Sequence, residues 1–226
     1  MREIACDESG YEGEKLIGST TRLFAHASVL VPAPGTILAE LRDRIRSPAT
    51  QYKANHLLRE KHRAVLVWFL GPDGPMLGNG HVFLLDKAQF VRERFAGVFG
   101  FDPPDLSAAN DVLRARSVLP VPVFATAFRA WLLEDPIGRS VLDPLVPAIE
   151  AAVEHWGPVA IAHDRQTQLP PRRLEILRSR SPVLGFRFLD AESHPQIQLA
   201  DILAGTVRAI TETGDDELEP LVAPYL

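Results

Sequence analysis

Four residues, Asp7-Glu8-Ser9-Gly10, stand directly behind a short apolar stretch, Ile4-Ala5-Cys6. Two adjacent carboxylates therefore fall where a strand gives way to a turn. A strand reading Glu3-Ile4-Ala5-Cys6-Asp7 suits the middle of a sheet, and an ionised carboxylate there must be paired, hydrogen-bonded or bound to a cation. The period of two sends Glu8 to the face opposite Asp7, where it serves either as a supporting partner or as a surface residue. The plainer alternative for Asp7 is a capped turn, because Asp-x-Ser-Gly is good turn chemistry.

A second feature answers the first. From Ser193 to Gly205 the chain reads as a helix, with Pro195 in its first turn and Ser193 or His194 as the cap. Ile197, Ala200, Ala204 and Val207 form one apolar stripe and Leu199, Ile202, Leu203 and Ile210 another, so the helix is buried on most of its circumference. Gln198 and Asp201, three apart and on one face, form a polar pair that packing does not require. Its alternative role is a hydrogen-bonded pair fixing helix to sheet.

Between these features, residues 2–7 and 23–31 read as an antiparallel hairpin. Pro34-Gly35 opens a helix that ends before Pro48. Residues 56–70 read as a further helix, stopped by Gly71-Pro72-Asp73-Gly74-Pro75. With Gly78-Asn79-Gly80 the turn cluster suits a mobile loop. A strand over 81–86 is followed at once by Lys87. The stretch 88–156 is helical in pattern, with apolar positions such as Phe124, Phe128, Trp131 and Leu132, and reads as a helical insertion or lid. Val159-Ala160-Ile161-Ala162 is a buried strand delivering His163-Asp164. A basic helix (170–180), a strand (185–189) and the Asp201 helix complete the core, followed by an acidic tail with an apolar end.

At 226 residues, 46% hydrophobic and 23% charged, the chain fits one domain over 1–226. Its single cysteine, Cys6, excludes an intrachain disulfide and argues against a thiolate zinc site. No basic region followed by an apolar stretch opens the sequence, and no run of about 18 apolar residues occurs. The expectation is a soluble, cytoplasmic protein with no membrane partner. With 24 Lys and Arg against 29 Asp and Glu, a net charge of -5, the surface as a whole is not built to coat nucleic acid. Local basic runs remain: Arg42, Arg44 and Arg46; Arg59, Lys61, His62 and Arg63; Arg165, Arg172, Arg173, Arg178 and Arg180. Their plainer reading is solvated helix faces. The phosphate-loop, dinucleotide, nucleophile-elbow and zinc-helix motifs are all missing.

Three aspartates thus end up on core elements: Asp7, Asp164 and Asp201. Hard divalent cations such as Mg²⁺ and Mn²⁺ take oxygen ligands of this kind, and a pair of ions roughly 4 Å apart clamps the oxygens of a phosphoryl displacement. The order strand-Asp, hairpin, later strand with Asp, and terminal helix with Asp resembles the ribonuclease H-like fold of metal-dependent nucleases. More closely, the chain resembles the bacterial family catalogued as domain of unknown function 3800. The resemblance is carried by Asp7-Glu8-Ser9-Gly10, Lys53 in Tyr52-Lys53-Ala54-Asn55, Asp86-Lys87, Asp164, and Asp190 through Gln198-Leu199-Ala200-Asp201-Ile202-Leu203-Ala204-Gly205. It departs from the family pattern at Asp190-Ala191-Glu192 and at Gln51.

The resemblance implies an α/β ribonuclease H-like mixed sheet flanked by helices, and phosphodiester hydrolysis on a nucleic acid or nucleotide. On that reading Asp7, Asp164 and Asp201 bind Mg²⁺ or Mn²⁺, Lys53 or Lys87 neutralises phosphate charge, and Glu8, Ser9 and Gln198 help hold the substrate. The alternative is a binding protein for a nucleotide, nucleic acid or protein partner that keeps the fold without the chemistry.

Overall fold

The computed structural model describes residues 1–47, 49, 51–116 and 122–226. Pro48, Pro120 and the side chains of residues 122–125, Phe124 among them, lie outside the described set. The chain forms an α/β fold around one mixed five-stranded sheet: β1 (Glu3–Ser9), β2 (Leu23–Val29), β3 (Gly80–Asp86), β4 (Val159–Asp164) and β5 (Val183–Leu189). Their order across the sheet is β3-β2-β1-β4-β5. β2 runs antiparallel to both β1 and β3, whereas β4 is parallel to β1 and β5 to β4.

Ten α-helices accompany it among the described residues: α1 (Pro34–Ile45), α2 (Ala54–Leu57), α3 (Arg63–Leu70), α4 (Lys87–Phe99), α5 (Leu106–Leu113), α6 (Pro122–Glu134), α7 (Leu145–Trp156), α8 (Pro171–Arg180), α9 (Pro195–Thr213) and α10 (Glu219–Val222). None is long and apolar enough to cross a membrane.

The two faces of the sheet differ in side-chain size, and this places the helices. Ala5, Ala25, Ala27 and Ala162 line the first face and share a core with Ile197, Ala200, Ala204 and Val207 of α9. Short side chains on both partners let α9 lie close over β1 and β2. Ile4, Phe24 and Ile161 line the second face, filled by larger residues of α4, α5 and α7 such as Phe95, Leu113 and Ile149. The stretch 88–156, read as a helical insertion, supplies much of this second layer.

Two local expectations change. The helix expected over 56–70 breaks into α2, a 3-10 turn at Glu60–His62 and α3, because Arg59 is extended (φ -71°, ψ 137°). His62 meets the His56 carbonyl across that break at 2.5 Å. The turn cluster 71–80, expected to be mobile, is tied down: Met76 is fully buried, and the Leu30 N–H donates to the Asn79 carbonyl at 2.9 Å. The apolar tail docks, with Tyr225 buried and its hydroxyl donating to the Leu70 carbonyl at 2.8 Å.

One glycine decides how α9 meets α2. A Cβ on Gly205 would lie 2.7 Å from the Ala54 Cβ, which is fixed to the α2 backbone and has no flexible end to swing away. Gly205→Ala gains about 1 kcal/mol of helix propensity but overpacks the contact at a cost of about 1–3 kcal/mol. The expected net loss is about 1 kcal/mol in a urea melt. An unchanged or raised midpoint would show that α2 shifts freely.

Candidate carboxylate site

The parallel register of β1 and β4 pairs Cys6 with His163, so the next residues, Asp7 and Asp164, come out side by side at the C-terminal ends of the two strands. Both are on the first face, the one α9 covers. α9 brings Asp201 over them, and α2, seated against Gly205, brings Lys53. The Lys53 Nζ stands 2.7 Å from Asp201 Oδ2, in ion-pair contact though without hydrogen-bond angles. Asp7 Oδ1 accepts from the Glu8 N–H at 2.7 Å, and Asp164 Oδ1 accepts from the Ala191 N–H at 3.1 Å.

The electrostatics tie these groups into one site. Burial, and then the negative charges of Glu8, Asp201 and Asp164, push the Asp7 carboxyl well above the usual carboxylate range. Burial also raises Asp201, against the lowering pull of Lys53. For Lys53, burial works toward a lower value, yet the ion pair with Asp201 and the charges of Asp7 and Asp164 outweigh it and hold the ammonium above its usual range. Carboxylates that raise one another in this way are short of positive charge. The donor set, hard oxygens only, fits Mg²⁺ or Mn²⁺ in kind. As arranged, however, no three His, Cys, Asp or Glu side chains among the described residues are grouped so that they could hold a metal ion. The cation in the cluster is the Lys53 ammonium.

Glu8 lies on the opposite face, as the strand period requires, but it is not at the surface: its side chain is 14% exposed. Gln166 Nε2 donates to Glu8 Oε1 at 2.5 Å, and Oε2 is buried without a partner, 3.8 Å from His163 Nε2. His163 and His26, both essentially buried, meet Nε2 to Nε2 at 3.2 Å. His163 Nδ1 lies 2.9 Å from the Asp164 carbonyl, which can only accept, so Nδ1 carries the hydrogen. His26 then donates to His163, which leaves His26 Nδ1 a bare acceptor without a partner. Burial lowers His163 to about 4 and, with the nearby His163 and His81, lowers His26 well below the usual imidazole value. This buried pair escaped the sequence reading. Its signal was a lone histidine in a strand otherwise filled by Phe24, Ala25 and Ala27.

The remaining candidates stand outside the cluster or at its margin. Ser9 Oγ accepts from Arg208 Nε at 3.0 Å, and Arg208 pairs with Glu212. Gly10 turns the chain at φ +77°, where a Cβ would lie 2.5 Å from the Leu23 carbonyl oxygen. Gln198 is buried and donates to the Glu192 carbonyl at 3.2 Å rather than to Asp201. Lys87 points elsewhere, giving its ammonium to Ser19 Oγ, the Thr21 carbonyl and Thr21 Oγ1 at 2.8–2.9 Å. In the basic run on α8, Arg172 pairs with Asp135 at 3.1 Å, and Arg173 is buried against Asp143 and Glu14. Those two arginines are therefore neutralised and offer no free patch. Neither a known protein-family model nor any curated protein matches this chain.

Proposed function

We propose that the chain is a ribonuclease H-like, metal-dependent phosphodiester hydrolase acting on a nucleic acid or nucleotide. The observation that carries the reading is the convergence of Asp7, Asp164 and Asp201 from β1, β4 and α9. It is supported by the order in which the chain delivers them: strand and Asp, hairpin, adjacent parallel strand and Asp, covering helix and Asp. Drawn closer together than they stand, the three carboxylates would hold Mg²⁺ or Mn²⁺, which when bound supplies Lewis acidity and a water of lowered pKa. Lys53, 49% exposed at its side chain, reaches a phosphate in solvent by leaving Asp201, and its charge then offsets the negative charge on the phosphoryl oxygens. The Ala191 N–H fixes the Asp164 carboxylate and the Glu8 N–H that of Asp7. One observation favours the alternative, a binding protein: the Lys53 ammonium already supplies the cluster with a cation.

Thermal melts separate the two. Mn²⁺ at a hundred times its dissociation constant is expected to stabilise the wild type by about 2.7 kcal/mol and to leave Asp7→Asn unmoved. Equal melting curves of the wild type in Mn²⁺ and in chelator would end the hydrolase reading.

A further inference from the structure

Lys87 is the one buried lysine among the described residues, 2% exposed, and its three ammonium hydrogens go to neutral oxygens: Ser19 Oγ, the Thr21 carbonyl and Thr21 Oγ1. These satisfy its hydrogen bonds but not its charge. Glu12 and Glu212 reach it only as more distant negative charges, and Arg208 adds positive charge. A buried cation in ion-pair contact with no carboxylate is costly, and its place at the first position of α4 adds the positive end of the helix dipole.

Beside it lies a cavity of about 330 Å³, walled by Leu16 to Arg22, Lys87, Ala88 and Leu106. The wall carries two cations and three hydroxyls and no Asp or Glu of its own, though Glu12 Oε1 just outside it accepts from the Thr20 hydroxyl at 2.6 Å. Arg22 gives one nitrogen to Asp86 at 2.8 Å and is otherwise exposed, 56% at its side chain. The Thr21 hydroxyl accepts from Lys87 at 2.8 Å, and its own hydrogen goes only to a long 3.4 Å contact with the Gly10 carbonyl. We infer that this cavity, formed by the β1–β2 loop and the start of α4, binds a phosphate group, with Arg22 and the Thr21 hydroxyl touching the oxyanion and Lys87 neutralising it from beneath. Leu16, Ile17 and Leu106 give the cavity an apolar side for whatever bears the phosphate. The site is distinct from the carboxylate cluster, and the inference stands without the hydrolase reading.

The test titrates inorganic phosphate into the full chain in chelator, against sodium chloride at equal ionic strength, by calorimetry and thermal melts. Phosphate is expected to bind and stabilise the wild type. Arg22→Gln, at an exposed position that keeps the fold, is expected to weaken binding about tenfold, the value of one charge-assisted hydrogen bond. Lys87→Met is expected to abolish binding; should it fail to fold, Thr21→Val replaces it with a weakened site. A nucleoside 5′-monophosphate that displaces phosphate identifies a terminal phosphate as the ligand, and a 5′-hydroxyl oligonucleotide that does so identifies a backbone phosphate. No response beyond that to chloride, or an identical affinity in wild type and Arg22→Gln, overturns the inference.

Discussion

Asp201→Asn is expected to remove Mn²⁺-dependent cleavage of a generic phosphodiester by about a thousandfold or more, roughly 4 kcal/mol of transition-state stabilisation. The substitution keeps the side-chain volume and takes one charge from a group that burial already holds above its usual pKa. The fold loses only a partly exposed ion pair with Lys53, so secondary structure and melting temperature should stay near wild type. Two companions calibrate the result. Lys53→Met is expected to cost less, because it removes charge on substrate and leaves the three carboxylates in place. Gln198→Ala is expected to cost little, since its amide donates to the Glu192 carbonyl and not to Asp201. Equal activity in wild type and Asp201→Asn, across single- and double-stranded DNA and RNA, would leave the cluster as a binding or structural feature.

The elements around this site were legible in the sequence because each has a local cause. β1 and β4 read as buried strands ending in aspartate; β4 does end at Asp164, whereas β1 runs two residues past Asp7 to Ser9. The α9 stripes mark a helix apolar on most sides, and α9 lies buried against β1 and β2. Glu8 was placed on the right face by the strand period alone. What escaped depends on contacts between distant segments. Nothing local to Arg172 or Arg173 announces that Asp135, Asp143 and Glu14 will neutralise them. Lys87 follows a strand ending in Asp86, as a site lysine would, but β2's approach carries Ser19 and Thr21 to its ammonium instead. The break at Arg59 falls in a polar run, Arg59-Glu60-Lys61-His62-Arg63, where no apolar residue marks either a continued helix or its interruption.

The face behind the carboxylates should set much of the apo protein's response to pH. Burial is the largest influence on Glu8 and lifts it, with the charges of Asp164 and Asp201, to about 7 from an ordinary 4.5, although Gln166 donates to it and pulls the other way. The native state therefore holds a proton on Glu8 that the unfolded chain releases at about 4.5. This contribution is fully present below 4.5 and is lost as pH rises through about 7. At 1.36 kcal/mol per unit, the loss above pH 7 is about 3 kcal/mol. His163 and His26 act oppositely, because both are held neutral when buried and an unfolded imidazole takes up its proton near 6.5; acidification through that range therefore destabilises the fold. In the wild type the two effects offset each other, so its curve alone is a poor readout. The difference between Glu8→Gln and wild type isolates the carboxylate, because glutamine keeps the shape and can still accept from Gln166. In chelator, that difference is expected to be near zero at pH 4.5 and to grow to about 3 kcal/mol in favour of Glu8→Gln at pH 8, roughly 6–12 °C in melting temperature for a chain of this size. A difference that stays flat between pH 4.5 and 8 would mean that Glu8 titrates as an ordinary carboxylate and that the buried pocket behind Asp7 is open to water.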